Sequence, residues 1–183
     1  FLSMIKSENT NDFLEIDYFT QKSLEILKNL SGNNEGSLIS CIDETKTASG
    51  ARLLKQRIIE PFNDINLIQD RYDVINWILE NNIDINNYQK SLKGIPDLER
   101  SLARISLSRG NPRDLLLISK GLLNIKEISK NLIFQQKNLK PKLLNSILDN
   151  LKIDYSLFSN ITKALKSDVP LVTKEGGFIA DGF

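Results

Sequence analysis

Histidine is absent from the 183 residues, and cysteine occurs once, at Cys41. Without histidine there is no Ser-His-Asp or Cys-His catalysis, no ordinary catalytic zinc site, and no side chain that titrates unassisted near neutral pH. One thiol can form no intramolecular disulfide, which fits a reduced, cytoplasmic compartment. No run approaches the roughly 20 apolar residues needed to cross a bilayer, and no secretory signal is visible, so no membrane role is expected. Internal repeats and low-complexity tracts are also missing. No pair of carboxylates has spacing suited to acid and base work: Asp97 and Glu99 fall on different sides of a helix, and Asp43 and Glu44 are adjacent.

A strong excess of one charge is lacking too. There are 24 Lys and Arg against 23 Asp and Glu, too even for a dedicated nucleic-acid domain with a basic face. The balance hides an asymmetry. Residues 1–90 carry 9 basic and 14 acidic side chains, net −5, and residues 91–183 carry 15 and 9, net +6. The excess between Lys120 and Lys166 reads first as a solvated helix face, and second as a weak field that steers DNA. The abundance of Ile, Asn and Lys suggests an AT-rich bacterial genome. Phe1 and Phe183 read as ends cut from inside a longer protein.

What is present is helical periodicity. Thr20 is placed to cap a short helix over 20–30, followed by a Gly/Asn loop and a short apolar stretch from Ser37 to Ile42. Thr47 is expected to cap a helix that ends near Glu60 at Pro61, with Leu54 and Ile58 on one face. Asp64 caps the next, in which Ile65, Ile68, Tyr72, Ile75 and Leu79 form a 3-4 seam predicted to pack on other helices. Residues 81–87 read as a turn and Tyr88–Lys93 as a short helix. Pro96 and Asp97 open another, with Leu98, Leu102 and Ile105 inward. Asn111-Pro112 is the clearest helix start, with cap, first-position proline and the acidic Asp114 in the first turn. Leu115, Ile118, Leu122, Ile125 and Leu132 continue it for about five turns. Gly121 within it costs roughly 1 kcal/mol against Ala, so packing or length must compensate. Pro141 opens a helix with Leu144, Ile147, Leu148 and Leu151, and 156–166 forms one with Leu157, Ile161 and Leu165. Residues 168–183, with Pro170, Gly176, Gly177 and Gly182, read as extended. The fold class is therefore mainly α, a layered helical bundle with short loops and little or no sheet.

Two motifs invite chemistry. Gly32–Ser37 has the glycines of a phosphate loop but no Lys before Ser37, and Glu35 opposes phosphate, so a connecting loop is the expectation. Arg100 and Arg104 share a helix face and, with Arg109 and Arg113, could meet phosphates. The commoner use of such arginines is to cross-link helices through carboxylates such as Asp97 or Asp114. No catalytic, cofactor-binding or metal-binding residue is assigned, and no DNA-contacting residue can be named.

Five segments, in order, resemble the core, lever-forming domain of the MutS family of DNA mismatch repair proteins. They are Asp17–Ile26; GSLISCIDETKTASGARLLKQRIIEP at 36–61; Arg71-Tyr72-Asp73-Val74; IPDLERSLARISLSRGNPRDL at 95–115; and KEGGFIADGF at 174–183. Ser23, Tyr72 and Ser108 depart from the commoner Asn, Leu and Gly. The resemblance implies a tail of the preceding connector over 1–12, the helical core over 13–167, and a segment over 168–183 leading to the family's clamp. It further implies a parent that is a dimeric ATPase binding mismatched double-stranded DNA, using ATP and magnesium, and engaging a MutL-type factor. The mismatch-reading and nucleotide-binding motifs fall outside these residues, so no catalytic or ligand residue transfers, no cofactor is expected here, and the chain alone is expected to be monomeric. Its role would be structural and allosteric. The rival readings are a helical interaction scaffold unrelated to repair, and a helical enzyme, which the missing histidine disfavours.

Overall fold

A computed structural model of the chain describes residues 12–134, 139–169 and 176–183. The expected tail over 1–12, except its last residue, and Pro170 lie outside these. Among the described residues the structure is helical without a strand, and two isolated antiparallel bridges join Phe13 to Phe62 and Leu165 to Ile179. No helix among them is long and apolar enough to cross a membrane.

The chain divides into two compact units. One holds the described residues through Thr45 together with Ala51–Asp73; the other holds Lys46–Gly50 and Val74 onward.

In the first unit, α1 spans Tyr18–Ser23 and is capped by Asp17, not by Thr20. The Asp17 carboxylate accepts from the backbone N of Phe19 (2.9 Å) and Thr20 (3.0 Å) and from the Thr20 hydroxyl (2.6 Å). A carboxylate satisfies two helix-end donors at once, and the Thr20 hydroxyl is spent donating to it. The helix ends at Ser23 rather than continuing to residue 30, because Glu25 turns into the left-handed region (φ 50°). The Gly/Asn loop is closed by Asn29: its Oδ1 accepts from Asn33 N (2.9 Å) and its Nδ2 donates to the Glu35 carbonyl (2.8 Å). The apolar stretch after it is the short helix α2, Leu38–Ile42, capped by Ser37. Near the start of the described chain Phe13 stacks on Phe62 at 5.3 Å, and the Arg71 guanidinium lies 3.8 Å above the Phe62 ring.

Helix α3, Ala48–Ile59, begins where expected, with Thr47 Oγ1 accepting from Gly50 N at 3.0 Å, and Leu54 and Ile58 are half-buried on one face. Helix α4, Ile65–Glu80, corrects the predicted seam: Ile68 is half-buried, but Ile65, Tyr72, Ile75 and Leu79 are exposed. The buried residue is Trp77, flanked by Val74 and Ile78. Trp77 lies about 200° around the helix from Ile75, so the large indole chose the inward face against the 3-4 pattern.

In the second unit, α5 runs from Ile85 to Lys93, three residues earlier than expected, because Asp84 accepts from Asn87 N (3.1 Å) and caps it. Helix α6, Leu98–Ser106, is capped by Asp97. It buries Ser101 and half-buries Leu98 and Ile105, while Leu102 is exposed, contrary to expectation. Helix α7, Pro112–Phe134, has 23 residues, about 35 Å at 1.5 Å per residue. Helices α8 (Lys142–Asn150) and α9 (Ser156–Ala164) follow. Leu144, Leu148 and Leu165 are buried as expected, whereas Ile147 and Leu157 are exposed.

The expected single seam on α7 is replaced by packing on several sides. Leu115 is 40% exposed, Ile118, Leu122, Ile125 and Leu132 are half-buried, and Asp114, Leu116, Ser119, Gly121 and Ser129 are buried. The reason is that α5, α6 and α9 all pack against this one helix.

Candidate functional site

Helix α7 is fixed at both ends. At its head, Asn111 and Asp114 cap each other: Asn111 Oδ1 accepts from Asp114 N (3.0 Å), and Asp114 Oδ2 accepts from Asn111 N (3.2 Å). This is the reciprocal arrangement of a capping box, with Asp at the third helical position. The other carboxylate oxygen takes Arg104 Nε at 2.9 Å and a second, short hydrogen bond and ion pair from Arg104 Nη2, which also donates to Ser101 Oγ at 3.1 Å. Asp114 is 2% exposed. A buried carboxylate is costly unless its oxygens are occupied; here Arg104 and the Asn111 amide occupy both. The Arg104 hydrogen bonds, then the Asn111 backbone N–H, hold the Asp114 carboxyl below the ordinary carboxylate range despite burial, and the same bond holds the Arg104 guanidinium above its usual value.

Thus the structure uses Arg104 as a cross-link from α6 to α7. Arg100, Arg109 and Arg113 are exposed and are not drawn into this junction. Ser101, which sequence reasoning passed over, orients Arg104; the only signal was a small polar residue among the apolar positions of α6.

Just below the head, Gly121 permits close approach. A Cβ there would lie 2.6 Å from Leu98 Cδ2 and 3.0 Å from Pro96 Cδ. That explains the glycine in mid-helix: packing against the start of α6 is the compensation. One turn further, Asn124 Nδ2 donates to the Gly94 carbonyl at 3.2 Å, tying α7 to the end of α5. Lys126 Nζ then lies 5.0 Å from the Tyr155 ring centroid.

The two hydrophobic clusters of this unit sit on α7 at opposite ends. Leu116 joins Leu165 and Val169, with Ile161 and Phe178 against them. Leu132 and Ile133 join Trp77, Leu144 and Leu148. Leu116 and Leu132 are about 24 Å apart along the axis. Lys140 Nζ donates to the Ile133 carbonyl (3.2 Å), satisfying a group at the C-terminal end where a cation is favoured. Among the described residues no group of three or more Asp, Glu, Cys or His is placed to hold a metal ion.

This arrangement holds and aligns helices. Residues 19–181 match the family described as MutS domain III. The chain is 36% identical over 176 residues, 96% of its length, to the DNA mismatch repair protein MutS of Cereibacter sphaeroides. It is 36% identical over 178 residues to that of Bartonella tribocorum, and 34% identical over all 183 residues to that of Rhodopseudomonas palustris. In these comparisons the chain covers 96%, 96% and 100% of itself but only about a fifth of each relative (20%, 19% and 20%). The motifs of the sequence and these matches agree along the chain, and it belongs to the MutS domain III family of DNA mismatch repair proteins.

Proposed function

We propose that this segment is the transmission of a mismatch-recognising, DNA-binding ATPase, itself non-catalytic, with α7 as a stiff strut between distant sites. One observation carries the reading: a single 23-residue helix holds a separate apolar cluster at each end and is locked to a neighbouring helix through the buried Asp114. Packed helices rearrange between discrete states rather than deforming continuously, so such a helix passes a displacement along its length. The coupling required is about 1–3 kcal/mol. The whole protein is proposed to act as a dimer in the cytoplasm, to use ATP and magnesium, and to engage a MutL-type factor; 1–12, 13–167 and 168–183 are proposed as connector tail, core and lead into the clamp.

The test is Leu122→Pro in the full-length parent, with Asp114→Asn as a milder variant. Proline inside a helix removes a hydrogen bond and kinks it, at about 3 kcal/mol. The expected result is mismatch affinity that no longer responds to nucleotide, in protein whose circular dichroism shows it folded. Unchanged communication in both folded variants would sink the strut. By itself, the 183-residue chain is expected to hydrolyse no nucleotide and to show no mismatch-selective binding.

A further inference from the structure

The Gly/Asn loop has no lysine of its own, but the fold of the first unit supplies three. A cavity of about 800 Å³ is bounded by that loop, including Gly32 and Asn34, and by Lys22, Lys28 and Lys55. This is the size of a small-molecule site. Lys22 lies in the last turn of α1, Lys28 follows that helix, and Lys55 comes from α3. None of the three forms an ion pair among the described residues. Asp43 also lines the cavity, with its Oδ1 accepting from the backbone N and hydroxyl of Thr45 at 2.9 and 2.6 Å.

The wall is built before any ligand arrives, because both side-chain ends of Asn29 are used to close the loop. The lining also carries apolar groups, among them Tyr18 and Leu30, each 70% exposed. Charge makes the placement informative. The described part of the unit, residues 12–45 and 51–73, has 6 basic and 11 acidic side chains, net −5. Three of these six cations nevertheless line this cavity. A long polyanion such as duplex DNA meets the negative surroundings, whereas a compact anion within about 8 Å, the screening length at physiological salt, meets three lysines against the one lining carboxylate, Asp43.

We propose that this cavity binds a small phosphate-bearing molecule, with its phosphates on Lys22, Lys28 and Lys55 and any aromatic part on Tyr18 and Leu30. The chemistry is that of a compact polyphosphate, free or carried on a nucleoside. This site is separate from the α7 junction and does not depend on the strut reading.

The test is titration calorimetry of the 183-residue chain with inorganic triphosphate and, in a second arm, uridine triphosphate. The probes are compared on the native chain, on Lys22→Gln/Lys55→Gln, and on a Lys142→Gln/Lys152→Gln control in the other unit. Saturable binding is expected, weakened about tenfold or more by the first pair and unchanged by the control, since each close charge is worth a several-fold factor in water. Equal affinity for both probes assigns the recognition to phosphate alone; tighter uridine triphosphate, reversed by Tyr18→Ala, assigns the rest to the Tyr18 ring. All four altered lysines are exposed, and the one ion pair among them, Lys152 with Asp149, faces solvent, so thermal unfolding should be unmoved. Absence of saturation, equal weakening by the control pair, or displacement of triphosphate by duplex DNA at a lower phosphate concentration would overturn the proposal.

Discussion

Gly121→Ala sets two effects of known sign against each other. In an exposed helix the change gains about 1 kcal/mol, because alanine is the better helix former. At this position the new methyl would stand 2.6 Å from Leu98 Cδ2 and 3.0 Å from the Pro96 ring. Leu98 must give up its packed position and the proline ring cannot turn aside, so the contact between α6 and α7 is strained. Overpacking of this kind costs about 1–3 kcal/mol, leaving a net loss of about 1 kcal/mol and a melting temperature lower by about 2–4 °C for a chain of this size. Trp77 is the single tryptophan and is buried against the far end of α7, so its fluorescence reports unfolding of the unit concerned. The mechanism has its own signature: Leu98→Ala should make room, so the double variant should lose less than the sum of the single ones, by at least about 0.5 kcal/mol. A Gly121→Ala chain more stable than the native one, with no coupling to Leu98, would refute the close-approach argument.

Gly110→Ala should be worse than Gly121→Ala in the same melt, because its Cβ would lie 2.8 Å from the backbone Cα of Ile105, which cannot rotate aside. Leu116→Ala and Leu148→Ala, at 5% and 4% exposure, should each cost about 2–5 kcal/mol in denaturant unfolding, one for each cluster on α7. Asp114 titrates below its ordinary value of 3.8 when folded. Its contribution is therefore present above that value and lost as pH falls through the lowered one. Asp114→Asn should cost about 2 kcal/mol near neutral pH, and its stability should fall less between pH 5 and the acid limit than that of the native chain. Equal acid slopes in the two proteins would remove Asp114 from the junction's energetics.

The class of the fold and the starts of its principal helices could be read from the order of the residues. Caps are local: Thr47, Asp97 and Asn111 bond to backbone groups within three residues, and that chemistry is visible in the spacing. Five ordered motifs also carried the family. Even local reading faltered where two caps competed, as Asp17 displaced Thr20. Which faces turn inward was settled by long-range packing. The 3-4 spacing of Ile65, Ile68, Tyr72, Ile75 and Leu79 is a true helical stripe, yet Trp77 took the buried side, because burial depends on what other elements bring to a helix. The same holds for α7, where packing on several sides dissolved the predicted seam. It holds also for Arg104, whose partner lies ten residues away at 2.9 Å from Nε, and for the three lysines around a loop that has none. Periodicity encodes what one helix offers; long-range partners settle what is used, and those distances exist only once the chain has folded.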